Sequence, residues 1–155
     1  MTTLPDLPKA EIAIVQMTNA FRHEQKLGAL SPNKKLTAAA RAFAAYLART
    51  GDLSHSADGR SMDARVRAQG YRFCWLAENL SFRRDSKGFA TSALAGTVIT
   101  GWKNSSGHRA NMASPNVTEI GVGVARAPGS SPTFYSVQLM GRPANGKCRE
   151  VPVRP

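Results

Sequence analysis

The sequence predicts an α+β domain in three layers, and three observations carry that reading. Apolar residues recur at helical spacing through the first half and again near residue 100, and the period changes to strict alternation after residue 119. The strands implied by that alternation lie among helices made earlier and between them, an order suited to helices covering a sheet. With 155 residues the chain has the size of one ordinary domain and can bury a core without a metal or several disulfides.

Taken in order, Asp6 and Pro8 suit a helix start, Ile14, Met17 and Phe21 form its apolar stripe, and Gly28 is placed to end it. Ser31 and Pro32 read as the N-cap and first-turn proline of a second helix, whose Leu36, Ala40, Phe43 and Leu47 share one face until Gly51 stops it. Ser61 to Gln69, with Met62 and Val66 one turn apart and Gly70 following, reads as a shorter helix. Trp75 to Phe82 is a strand, and Leu94, Val98 and Trp102 mark a further helix. Ile120, Val122 and Val124 alternate with Gly121, Gly123 and Ala125, and Tyr135, Val137 and Leu139 alternate with Phe134, Ser136, Gln138 and Met140. With the Pro128–Pro132 turn between them, these two segments form a hairpin. The glycines on one face of its first strand make room for a close neighbour, either a helix or other side chains.

The formal charge is +11, from 21 Lys and Arg against 10 Asp and Glu, and it is densest at Arg60, Arg65, Arg67, Arg72, Arg83, Arg84 and Lys87. Such a surface favours anionic partners. No helix-turn-helix, zinc-finger or RNA-binding aromatic pattern accompanies it, so no specific nucleic-acid partner is expected. No apolar run reaches the length of a membrane span, and the N-terminal residues lack the basic start and apolar middle of a signal peptide.

The polar motifs are more informative. Ser54-His55 precedes Asp58-Gly59, Ala77-Glu78-Asn79-Leu80 lies in the predicted strand, and Gly107-His108-Arg109-Ala110-Asn111-Met112 follows Trp102-Lys103-Asn104-Ser105. Two of the three histidines and a glutamate thus fall in Gly-, Ser- and Asn-flanked segments, as a convergent polar site requires. The third, His23, lacks a partner motif and reads as a surface residue. Together with Asn19-Ala20-Phe21-Arg22, Gly28-Ala29-Leu30, Arg65 to Tyr71 and Glu119-Ile120-Gly121-Val122-Gly123-Val124, these segments resemble the CAP superfamily of cysteine-rich secretory, antigen 5 and pathogenesis-related class-one proteins (SCP-like). They are most similar to its short bacterial type.

The resemblance implies an α-β-α sandwich with a small antiparallel sheet. Residues 10–141 would be the domain, 1–9 an N-terminal extension, and 142–155 a tail pinned by Cys148. It also implies a cleft in which His55 and His108 meet Glu78, with Ser105 where animal and plant relatives place a second glutamate. His55 and His108 would be the ligands of zinc or another divalent cation. Asn79, Arg109, Asn111 and Glu119 would be supporting residues, Asn111 capping or bracing a turn, and Glu119 either supplying negative charge near the site or, the favoured role, hydrogen-bonding or pairing structurally with Arg22 or Arg109. Export is implied too, to an extracellular or periplasmic place with the signal removed, and in that setting the only cysteines, Cys74 and Cys148, form a disulfide.

Three functions are compatible with these residues. One is a monomeric binding module that engages anionic lipid or envelope components. Another is a metal-dependent hydrolase with Glu78 as general base. A third is a buried polar network with function in surface contacts. A serine nucleophile at Ser105 or Ser106 is disfavoured, because no Gly-x-Ser-x-Gly elbow surrounds either and residues two or three from His108 need not approach it.

Overall fold

A computed structural model describes residues 2–152; Met1 and residues 153–155, the last three of the expected tail, lie outside the described residues. Helix α1 (Leu7–Glu24) starts at Asp6, whose carboxylate accepts the Lys9 N–H at 3.0 Å. It ends before Gly28: Gln25 is the C-cap, and Lys26 takes the left-handed conformation with φ 62°. Ser31–Pro32 does not open a helix as expected. It forms a two-residue strand, β1, parallel to Glu119–Ile120, because the Ser31 N–H donates to Thr118 O and the Asn33 N–H to Ile120 O. Asn33 is the N-cap instead, its side chain accepting from the N–H groups of Lys35 and Leu36.

Helix α2 (Lys34–Thr50) closes at Gly51, with φ 71°. Helix α3 (Met62–Ala68) is capped by Ser61, whose hydroxyl accepts the Ala64 N–H at 3.1 Å. Strand β2 (Phe73–Arg84) extends the predicted strand at both ends, and helix α4 (Thr91–Lys103) carries the Leu94–Val98–Trp102 stripe. A short helix, α5 (Ser106–Met112), holds the second histidine motif; the predicted hairpin follows as β3 (Glu119–Arg126) and β4 (Thr133–Pro143). Strand β4 runs past residue 141, where the sequence reading ends the domain. Ahead of α1, Thr3 bridges to Gly88, which ties the N-terminal segment to the β2–α4 connection.

The sheet order is β1-β3-β4-β2; β4 is antiparallel to both of its neighbours while β1 is parallel to β3, so the sheet is mixed rather than wholly antiparallel. Alternation along the strands sends side chains to two cores. Ile120, Val122, Phe134 and Met140 join Ile14, Phe21, Leu94, Val98 and Trp102 from α1 and α4. On the other face Val137 and Leu139 join Leu36, Phe43, Leu47 and Val66 from α2 and α3. The result is the expected α-β-α sandwich. Gly121 and Gly123 point at α2, and a Cβ on either would strike the helix backbone at Leu36–Thr37 or Ala40–Arg41.

Because β1 has only two residues, most of β3 has no strand paired to its outer edge among the described residues. There the Val124 N–H donates to Glu11 Oε2 at 2.9 Å, and Arg41 Nε and Nη2 donate to Glu11 Oε1 at 3.0 and 2.7 Å. Glu11 is thereby nearly buried in a polar clasp at the rim.

Cys74 and Cys148 form a disulfide with Cα atoms 5.6 Å apart and a sequence separation of 74. The tail it holds also donates the Val151 N–H to Phe73 O and accepts Arg67 Nη2 at Val151 O. Reduction is expected to lower stability by about 4 kcal/mol, the chain-entropy figure for a loop of this length. Thermal melts with and without reductant, beside a Cys74→Ser/Cys148→Ser protein, measure it; equal melting temperatures would contradict it.

Candidate functional site

The two histidine motifs lie at the outer edge of β2, the last strand of the sheet; His108 and Ser105 line a pocket there with Leu80 and Trp102. Residues of β2 alternate between the two faces, so Glu78 points toward α2 and α3 while Asn79 points toward α1 and α5. The loop after α2 brings in His55 from one side and α5 brings in His108 from the other. Trp102 Nε1 donates to Leu80 O at 2.9 Å, and Asn111 Nδ2 reaches Glu78 O at 3.4 Å; α4 and α5 thus cover carbonyls that β2 leaves unpaired.

Glu78 is buried and accepts three hydrogen bonds. Its side chain is 0% exposed; Arg65 Nη1 donates to Oε2 at 2.6 Å, Arg65 Nη2 to Oε1 at 3.0 Å, and His55 Nδ1 lies 2.8 Å from Oε1. A carboxylate clamped by a guanidinium can only accept, so His55 Nδ1 carries the hydrogen and its Nε2 is left free. The His55 side chain is 60% exposed. Arg65 also donates Nη2 to His55 O at 2.8 Å and stacks over the Phe43 ring at 3.5 Å. This is a carboxylate–histidine pair in which Glu78 orients the imidazole.

Arg65 is the residue sequence reasoning missed. The sequence reading places it in the surface charge, yet it is 3% exposed. Its signal was its place beside Val66 on the buried face of α3, together with a glutamate flanked by apolar residues and needing a partner.

His108 Nδ1 and Ser105 Oγ lie 2.9 Å apart, so Ser105 reaches His108. One helical turn brings residues three apart onto the same face. No Ser-His-Glu triad results, since Glu78 orients His55 and, among the described residues, no carboxylate contacts His108. Burial first, and the charge of His55 second, hold His108 below the ordinary histidine pKa of 6.5. The ring is therefore neutral at pH 7. Its folded pKa lies below the unfolded value, so the stability it contributes is full above pH 6.5 and is lost as pH falls through the lower folded value. An NMR titration should give His108 a midpoint below 6.5, and His55→Ala should raise it; a midpoint unmoved by that change would remove the coupling between the rings.

The supporting residues divide. Asn79 and Asn111 belong to one buried chain: Asn111 Nδ2 donates to Asn79 Oδ1 at 2.9 Å, Asn79 Nδ2 to His108 O at 3.0 Å and to Gln138 Oε1 at 2.9 Å, and Gln138 Nε2 to Thr18 Oγ1 at 2.8 Å. Asn111 thus braces a helix against a strand rather than a turn. Glu119 pairs with neither Arg22 nor Arg109. It accepts Tyr71 Oη at 2.9 Å and Asn33 Nδ2 at 3.3 Å, two strands from β2, because it opens β3 beside β1. Arg22 instead donates to the carbonyls of Gly28, Met112 and Ser114, and Arg109 lies over the Phe21 ring at 4.7 Å.

These residues do not form a three-ligand metal centre. Glu78 is buried and paired with Arg65, and among the described residues no group of three or more His, Cys, Asp and Glu could hold an ion. No helix among the described residues is long and apolar enough to cross a membrane.

The fold is an α-β-α sandwich with a histidine from each side of the sheet edge. The chain belongs to the cysteine-rich secretory protein family (CAP), which it matches over residues 15–140. It is 30% identical over 134 residues to the uncharacterized protein YkwD of Bacillus subtilis (strain 168), across 85% of this chain and 47% of YkwD, so it spans about half the length of that curated relative. Two solved structures share the fold. One is an extracellular protein containing a SCP domain from Bacillus anthracis, with TM-score 0.71 and 22% identity over 88% of this chain and 41% of that one. The other is an outer surface protein from Borrelia burgdorferi, with TM-score 0.70 and 17% identity over 86% of this chain and 92% of that one.

Proposed function

We propose that this domain is a non-catalytic, monomeric binding module that works outside the cytoplasm and engages anionic lipid or cell-envelope components through its cationic surface. The observation that carries this reading is the clamped Glu78: its carboxylate is bridged by one guanidinium, bonded to His55 and has no exposed surface, so it is sealed from the water a general base must reach. The +11 charge supplies the attraction. The disulfide suits an oxidising compartment, and the solved relatives described as extracellular and outer-surface proteins suit the same place. The two imidazoles offer a divalent cation a weak, two-ligand seat, which calorimetry with zinc chloride and the His55→Ala/His108→Ala protein would measure.

Vesicle co-sedimentation tests the reading. Binding to phosphatidylglycerol vesicles is expected to exceed binding to phosphatidylcholine and to fall steeply with salt, because the screening length is about 8 Å at physiological ionic strength. Salt-insensitive binding would point to apolar contacts instead. Metal-dependent ester or peptide hydrolysis that is lost in Glu78→Gln and kept in Arg84→Ala would overturn the proposal in favour of a hydrolase.

A further inference from the structure

We propose that the pocket between α2, α3 and the loop carrying Asp58 and Arg60 is a second binding site, for a phosphate monoester borne on a small sugar or polyol. It rests on the reading of the chain as a binding module and gives that module a defined subsite.

The pocket has a volume of about 320 Å³ and is lined by Phe43, Tyr46, Arg49, Asp58, Arg60 and Arg65 among others. That volume is at the low end of the roughly 300–1,000 Å³ range of ligand pockets, so the ligand is small. Three guanidinium groups line it against a single carboxylate, Asp58. They are not equally occupied. Arg65 spends Nη1 and Nη2 on Glu78 and His55 O, but its Nε–H is buried with no acceptor, the nearest carboxylate oxygen, Asp58 Oδ1, being 3.7 Å away. Arg60 holds Asp58 Oδ2 through Nε alone, at 3.2 Å, which leaves both its terminal nitrogens for a ligand. Arg49 lies over the Tyr46 ring at 5.4 Å and has no carboxylate partner among the described residues.

A buried N–H without an acceptor is a destabilising feature unless something supplies one, and an oxygen at the pocket floor would do so. Guanidinium groups favour phosphate and carboxylate as planar donors. Three of them offered by three positions match the three terminal oxygens of a monoester better than the two of a carboxylate. The Asp58 carboxylate and the Gln69 amide, both on the wall, are suited to hydroxyl groups on the carrier. Arg65 also links this pocket to the cleft: a ligand on its Nε would act on the guanidinium that clamps Glu78 and, through it, His55.

The test uses the full chain, with glucose 1-phosphate as the monoester, glucose as the neutral control, and a glycerol-phosphate diester oligomer as the polymeric alternative. Calorimetry and the arginine Nε–Hε NMR resonances are the readouts. Glucose 1-phosphate should bind and shift the Arg65 Nε–Hε signal, and glucose should do neither. Arg49→Gln and Arg60→Gln, both exposed positions outside the Glu78 clamp, should each weaken binding by ~10-fold or more, as loss of a charge-assisted hydrogen bond predicts. Arg84→Gln should leave it unchanged. Absence of a saturable shift at Arg65, equal affinity in the Arg49 and Arg60 variants, equal loss in Arg84→Gln, or binding of the diester oligomer alone would each overturn the assignment. Vesicle binding separates this site from the broader reading. If vesicles bind and glucose 1-phosphate does not, the pocket fails and the module stands; if glucose 1-phosphate binds and anionic vesicles do not, the reverse holds.

Discussion

Arg65→Ala is expected to destabilise the domain by about 3–5 kcal/mol, the range for removing one partner of a buried ion pair. The Arg65 and Glu78 side chains are 2% and 0% exposed, so the variant would leave a carboxylate without its two strongest donors and out of reach of water. The guanidinium also covers Phe43 and holds His55 O, so the His55 loop should loosen with it. Urea denaturation gives the loss, and amide exchange around residues 53–58 reports the loop. Arg65→Met with Glu78→Leu should recover much of the stability, since a matched apolar pair removes both charges together. A loss of less than 1 kcal/mol for Arg65→Ala alone would show that Glu78 is not held as described.

Gly121→Ala and Gly123→Ala are expected to be comparably damaging, at about 3 kcal/mol each or a failure to fold. The added methyl would meet the backbone of α2 at Leu36–Thr37 or Ala40–Arg41, which cannot turn aside as a side chain can. Relief would require the helix to lift off the sheet, opening the core in which Leu36, Phe43 and Leu47 are buried. Gly28→Ala is the control, because a Cβ there has nothing within 4 Å. Circular dichroism and urea melts distinguish the positions; tolerance of both strand substitutions would mean that α2 can move.

The layers were legible because they rest on periodicity. Val98 and Trp102 recur at helical spacing, Ile120 and Val122 at strand spacing, and all four are buried. The glycine face was legible as room for a neighbour, and the neighbour is α2. Ser31–Pro32 misled because a Ser-Pro helix start and a short edge strand share local chemistry, and the parallel partner that decides between them, Glu119–Ile120, lies far along the chain. Glu119 misled for the same reason: its partners, Tyr71 and Asn33, are set by tertiary folding. The motifs singled out His55, Glu78 and His108, and of these His55 and Glu78 meet in a hydrogen bond. What Glu78 is attached to was hidden in a residue that composition counts as one more surface cation.

The clasp of Glu11 on the Val124 N–H has a consequence for behaviour at high concentration. An unpaired strand edge is a template on which another chain can build, and β3 offers such an edge wherever β1 stops short. A carboxylate seated on one of its donors, and itself held by Arg41, takes up a hydrogen bond that an incoming strand would need and sets a charge in its path. Two side chains from two helices thus stand in for a missing strand and guard the edge of the sheet opposite β2.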